Sequence, residues 1–201
     1  MPSASPRPTR GAGLLERLLA RLRRRAALAL MPAPAPGAAI LDIGCGAWPA
    51  LLLETRFARK AGLDPLAGSV PGVPPEVEMS ALRLAGPVTL PYPDGAFACV
   101  TSLAVLEHLD PGSLPSLSAE IRRVLAPGGR VIITTPHAIA DPLLHALARL
   151  GLASPEEIEE HQNLFRRRDL RALLLAGGFP ESGIRVGSFL LGLNIVALAD
   201  K

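Results

Sequence analysis

The run Ile40-Leu41-Asp42-Ile43-Gly44-Cys45-Gly46 decides how this chain is read. Residues 39–43 form a short apolar run, the pattern of a strand buried on both faces, and the two glycines follow at once. A strand that turns into a helix through glycines lets backbone approach a ligand closely, with a carboxylate, Asp42, at the strand's end. A third glycine at position 49 would complete a dinucleotide fingerprint, but that residue is Pro49, preceded by Trp48. Proline has no N–H for a pyrophosphate, which counts against a nicotinamide cofactor. A second carboxylate, Asp64 in Gly62-Leu63-Asp64-Pro65, follows Asp42 at a spacing that suits the two hydroxyls of an adenosine ribose. Together these residues point to a nucleoside ligand without a pyrophosphate.

Downstream, short apolar runs alternate with helical stretches. Residues 60–63 read as a second strand, 96–101 as a fourth and 130–135 as a fifth; the third falls either at 77–82 or at 87–90. Helices are expected over 49–58, opening on Pro49, over 113–125, ended by Ala126-Pro127-Gly128-Gly129, and over 168–176, stopped by Gly177-Gly178. Ser154-Pro155-Glu156-Glu157 carries the signature of a capping box. The runs 183–190 and 193–199 are close enough to pair antiparallel. Strands alternating with helices and closing on a hairpin imply an α/β fold with a mainly parallel sheet covered on both faces.

The chain has 201 residues, 49% hydrophobic and 19% charged, which suits about one globular domain with a real core. No apolar run reaches the roughly 18 residues of a membrane-spanning helix. Two cysteines, Cys45 and Cys99, without a Cys/His cluster exclude a disulfide scaffold or zinc ribbon, and a reducing, cytoplasmic compartment is the expectation. Cys45 reads as a small buried filler and Cys99 as a core strand residue. Residues 1–30 carry seven Arg and one Glu, whereas the remainder carries 14 basic and 17 acidic groups. The body therefore offers no basic face to nucleic acid, and no nucleic-acid partner is expected. Residues 1–13 read as a disordered tail, 14–37 as a basic amphipathic helix with a Pro-rich connection, and 38–201 as the folded domain. Glu16, Arg17 and Arg21 interrupt any secretory apolar segment. The basic helix either packs on the domain with a solvated Arg face or meets an anionic membrane surface or a protein partner.

Five ordered blocks extend the pattern over residues 38–180: Leu41-Asp42-Ile43-Gly44-Cys45-Gly46, Gly62-Leu63-Asp64, Leu90-Pro91-Tyr92-Pro93-Asp94-Gly95-Ala96-Phe97, Leu106-Glu107-His108, and Arg123-Val124-Leu125-Ala126-Pro127-Gly128-Gly129-Arg130. His161 with Leu164-Phe165, and Ala176-Gly177-Gly178-Phe179, also fit. In these blocks the chain resembles the class I S-adenosylmethionine-dependent methyltransferases, in particular the small single-domain group of quinone-biosynthesis (type 11) enzymes. The resemblance implies a Rossmann-like three-layer sandwich whose seven-stranded sheet has its last strand antiparallel, with S-adenosyl-L-methionine at the strand ends. It further implies that Asp42, Gly44, Cys45 and Gly46 flank the methionine half, Asp64 the ribose, Leu103 the cofactor's centre, and Arg24 the cofactor carboxylate. Departures from the family pattern are Trp48 at a customary glycine, Ala98 at a customary acid, and Ala85-Gly86-Pro87 where an acid often reads adenine.

Methyl transfer needs alignment in a dry pocket more than a covalent nucleophile. A hydroxyl acceptor gains from a base, and His108, His137 and His161 fall where this fold puts its carboxyl-end loops. Each reads either as that base or as a structural hydrogen-bonding group. Glu107 reads as an orienting group, and His145 as packed or solvated. Glu107, His108 and His161 lack a recognisable ligand spacing, so no metal is assigned. Arg166-Arg167-Arg168 with Arg171 reads either as a solvated helix face or as a holder of an anionic substrate group. Besides a small-molecule methyltransferase, two readings stay open: a catalytically silent binding or scaffold protein, and an NAD(P)-dependent enzyme on a similar sheet. The acceptor and the oligomeric state are not legible.

Overall fold

The computed structural model describes residues 14–138 and 163–201. Its strands are β1 (Ala39–Ile43), β2 (Arg59–Leu63), β3 (Val77–Ser80), β4 (Phe97–Leu103), β5 (Leu125–Pro136), β6 (Ile184–Phe189) and β7 (Asn194–Asp200). They form one seven-stranded sheet in the order β3-β2-β1-β4-β5-β7-β6. The pairings among β1 to β5 are parallel, and β7 runs antiparallel to both β5 and β6. This is the expected topology, including the antiparallel last strand.

Two layers of helix cover the sheet because successive strand residues face opposite ways. All five residues of β1 are buried. Ile40, Cys99, Ile132 and Leu198 pack on one face with Ala27 of α1 (Leu14–Leu30) and Leu51 and Leu52 of α2 (Ala50–Glu54). Leu41, Val100, Val131 and Ile133 pack on the other face with Leu117 and Ile121 of α3 (Leu114–Val124) and Leu170 and Leu174 of α4 (Arg167–Ala176). The basic N-terminal helix thus packs on the domain, with Arg17, Arg21 and Arg25 on its exposed side. Its Arg23 Nε donates to Asn194 Oδ1 at 2.8 Å, and its Leu30 carbonyl accepts from Arg130.

Local boundaries differ from the sequence reading by a residue or two in most elements, β3 among them, and by more at α2 and β5. The helix expected over 49–58 lasts only from Ala50 to Glu54: Pro49 stands just outside it, and the Thr55 hydroxyl caps the Leu52 carbonyl at 2.9 Å while the backbone turns extended. That turn delivers Phe57 to the core. The third strand is the 77–80 alternative, cut short at Ser80. The fifth strand starts at Leu125 rather than Arg130, running through the Pro-Gly-Gly stretch across a register shift opposite Phe97 and Cys99. The capping-box segment at 154–157 lies outside the described residues.

Candidate active site

Between β1 and β4 the connections diverge, α2 passing to one face and α3 to the other, which opens a crevice at the carboxyl ends of these strands. Asp42 stands at that point, opposite Gly62 of β2 and Thr101 of β4. The side chain is buried, and Thr101 Oγ1 donates to Asp42 Oδ1 at 2.6 Å. Burial pushes the Asp42 carboxyl up to about 7; the Thr101 hydrogen bond opposes that rise and nearby Asp64 adds to it.

The turn after β1 is built on Gly44 and Gly46, with φ of 77° and 73°, values that disfavour any side chain. Gly44 N–H donates to Leu63 O at 2.7 Å, tying the turn to β2. Asp64 completes it: Oδ2 accepts the Gly46 N–H at 2.9 Å and Oδ1 the Leu66 N–H at 2.8 Å. The carboxylate has further lone pairs, so its backbone bonds orient it without exhausting it. Gly62 is required by packing, since a Cβ there would come within 2.7 Å of Cys45 Sγ and 2.8 Å of Met79 Sδ. Cys45 fills this seam, buried, its thiol pushed up chiefly by burial and further by Asp42 and Asp64. Cys99, fully buried, is raised to about 12 by burial and Asp42, against Arg130. Both thiols are therefore held protonated and unreactive.

The opposite wall comes from β4 and the loop after it. Leu103 ends the strand, opposite Thr134 of β5. Ala104 takes a left-handed φ of 57° while its N–H reaches Thr134 O at 2.8 Å, and this kink lays Val105 over Gly44. A 3₁₀ turn, Leu106–His108, follows. Within it Glu107 is buried and accepts a hydrogen bond from Thr135 Oγ1 at 3.2 Å. Burial raises its pKa, against the pull of Arg23 and His108. Asn163 clamps this turn: its N–H donates to Glu107 O, and its Nδ2 donates to Leu106 O at 3.1 Å and Leu109 O at 2.6 Å.

Of the residues expected at the site, Asp42, Gly44, Cys45, Gly46 and Asp64 come together in one turn, with Leu103 at the end of the adjoining strand. His108 and His137 stand on the loops after β4 and β5; His137 forms a bridge with Phe165. His161 and His145 lie outside the described residues. Arg24, on the α1 face of the sheet, pairs with Glu54 at 2.8 Å, while its neighbour Arg23 reaches the sheet's carboxyl end at Asn194. Trp48 is half-buried. Sequence reasoning passed over Thr101, Val105, Thr135 and Asn163. Hydroxyls inside the apolar runs of β4 and β5 were the available signal for the two threonines; the other two lie in unpatterned loops.

A family model described as a methyltransferase domain matches residues 12–180. The demethylmenaquinone methyltransferase of Symbiobacterium thermophilum is 32% identical over 107 residues, 48% of this chain and 42% of that protein, so the match spans less than half the length of this curated relative. An S-adenosylmethionine-dependent methyltransferase from Mesorhizobium loti superposes with a TM-score of 0.65 at 18% identity, covering 91% of this chain and 100% of that one. The geranyl diphosphate C-methyltransferase of Streptomyces coelicolor A3(2), solved in complex with Mg2+, geranyl diphosphate and S-adenosyl-L-homocysteine, superposes at 0.63 with 12% identity, covering 90% and 77%. These matches do not favour the silent-scaffold or nicotinamide readings. The sheet order agrees with these folds, and the chain belongs to the methyltransferase-domain family.

Proposed function

We propose that this methyltransferase holds its cofactor in the β1–β4 crevice and methylates a small-molecule acceptor lying against the loops after β4 and β5. The observation that carries the reading is the Asp64–Gly46 bond, which orients a carboxylate beside a turn built on two left-handed glycines. In this reading Gly44, Cys45 and Gly46 line the methionine half, with the Asp42 carboxyl beneath it. Asp64 accepts from the ribose hydroxyls, and Leu103 packs on the centre. Arg24 takes the cofactor carboxylate in competition with Glu54. Bound S-adenosylmethionine supplies a methyl electrophile on a sulfonium. The chain's own contribution is alignment, worth up to roughly 7–11 kcal/mol, and the exclusion of water. His108, His137 or His161 receives the acceptor's proton where the acceptor is a hydroxyl.

Buried free thiols accord with a reducing, cytoplasmic setting. The exposed Arg17, Arg21 and Arg25 face of α1 is where this reading puts an anionic surface or protein partner.

Calorimetry with S-adenosylmethionine, S-adenosylhomocysteine and NAD tests the site. Binding of the first two but not NAD, weakened in Asp64→Ala, is the expected result; an unchanged affinity in that variant removes the ribose assignment. Incubating cell extract with isotope-labelled cofactor, followed by mass measurement of the product, identifies the acceptor. His108→Gln, His137→Gln and His161→Gln then locate the base, whose loss lowers kcat by about 10²–10⁴ while cofactor affinity holds.

A further inference from the structure

We infer that the acceptor carries a phosphate or diphosphate group, received by a cleft lined by His137, Ala138, Arg166, Arg167 and Arg168. This rests on the methyltransferase reading above, and it adds the chemical class of the substrate.

The cleft has a volume of about 590 Å³, within the usual size of small-ligand pockets. Three arginines line it, and among the described residues little opposes their charge. Among the described residues Arg166 and Arg167 form no salt bridge, and Arg168 has only a loose one, 3.5 Å to the adjacent Asp169. The other Asp169 oxygen accepts the Arg166 N–H at 2.7 Å. Among the described residues one carboxylate therefore stands beside three cations, in a body (residues 31–201) that carries 14 basic and 17 acidic groups. Such a local reversal of sign draws in anions. A single carboxylate would be satisfied by one arginine fork; three forks match a group with several oxygens and two or three negative charges.

The cleft is also placed and held for this purpose. Leu103, where the cofactor's centre is assigned, lies opposite Thr134, and His137 is three residues further along the same chain, about 10 Å at strand rise. That span suits a small molecule with its reacting atom at one end and its charged group at the other. The arginines follow Phe165, whose side chain is buried in the core and whose carbonyl accepts the Ala138 N–H at 2.8 Å. The backbone beneath the guanidinium groups is thus anchored to the end of β5, while the side chains themselves are exposed.

The test uses the full chain saturated with S-adenosylhomocysteine and titrated with inorganic pyrophosphate, with acetate as the carboxylate control. Pyrophosphate should bind, acetate should not, and rising salt should weaken the binding. The double variant Arg167→Gln/Arg168→Gln should lose about tenfold or more in pyrophosphate affinity, as expected for losing charge-assisted hydrogen bonds, with S-adenosylhomocysteine affinity unchanged. A parallel sedimentation with phosphatidic acid vesicles separates sources: retention lost in the same variant assigns the phosphate to a lipid acceptor, and no retention assigns it to a water-soluble one. If pyrophosphate does not bind, or binds the variant equally, while S-adenosylhomocysteine still binds, the phosphate assignment is overturned and the methyltransferase reading stands. If S-adenosylhomocysteine itself fails to bind the native chain, both fall together.

Discussion

Val105 occupies the space that a side chain on Gly44 would need: a Cβ built on Gly44 would overlap Val105 Cγ2 and lie 3.2 Å from Cγ1. The loop after β4 is therefore seated directly on the first glycine of the turn after β1, and the two walls of the crevice are matched to each other. Gly44 combines this contact with a φ of 77°. Gly44→Ala should destabilise the fold by about 2–4 kcal/mol, from left-handed strain plus overlap. Adding Val105→Ala should recover the overlap part alone. Urea denaturation of both single variants and the double variant measures this coupling; purely additive effects would contradict the contact.

Asp42 makes the apo protein sensitive to pH. Folded Asp42 keeps its proton up to about 7, whereas the unfolded chain releases it near pH 3.9. Between those values the folded state binds the extra proton, so stability falls as pH rises, by up to about 4 kcal/mol. Asp42→Asn should flatten this slope and raise the melting temperature of the apo protein above neutral pH. The difference between wild-type and variant melting curves isolates Asp42, because buried Glu107 contributes to both. Affinity for the cationic cofactor, relative to uncharged-sulfur S-adenosylhomocysteine, should rise with pH over the same interval, since a nearby cation favours the carboxylate.

Asp64 serves two structural bonds as well as the proposed ribose contact. Asp64→Ala frees the Gly46 and Leu66 N–H groups and should weaken S-adenosylmethionine and S-adenosylhomocysteine alike, by about 1.5–3 kcal/mol for each charge-assisted bond lost. Asp64→Asn retains an oxygen for one N–H and should fall between. Calorimetry ranks the three proteins; equal affinities would exclude Asp64 from the site.

Arg123 holds the 90–94 segment against α3. Its Nη1 donates to Tyr92 O at 2.8 Å and Asp94 Oδ1 at 2.7 Å, its Nη2 to Leu90 O at 3.0 Å, and its Nε to Glu120 Oε1 at 2.6 Å. Glu120 Oε2 in turn accepts the Leu90 N–H at 2.7 Å, and the Arg123 hydrogen bonds hold its carboxyl below the usual range. Arg123→Met should cost about 1–3 kcal/mol through the two orphaned carbonyls, with little from exposed Asp94. Limited proteolysis should then open the chain near residues 90–95, while Asp94→Ala should leave both stability and cleavage near wild type.

How much of this was legible follows from where the signals lie. β1, β4 and the core of β5 are largely apolar runs with most interior positions buried, so composition exposes them, and the closing β6–β7 hairpin is legible because two apolar runs lie close in sequence. β3 is an edge strand of four residues, Val-Glu-Met-Ser, with one buried side chain, and leaves no periodic trace. The early end of α2 is decided by a hydroxyl cap at Thr55 and the burial of Phe57, a tertiary outcome that overrides local helix preference.

The site divides in the same way. The glycines of the turn after β1 and the acids at the ends of β1 and β2 are visible as a motif, and the fold brings them side by side. The Thr101–Asp42 bond joins residues 59 apart, and the Asn163 bonds to Leu106 and Leu109 span 57 and 54. Such polar contacts obey no spacing rule, because only the folded sheet brings the partners together.

The bridge between His137 and Phe165 has one more consequence. It holds the two ends of the intervening stretch side by side, one on the sheet and the other on the Asn163 clamp. Because this junction is made by main-chain atoms, the Ala138 N–H on the Phe165 carbonyl, the side chains at 137 and 166–168 can be exchanged without moving the end of β5 or the start of α4.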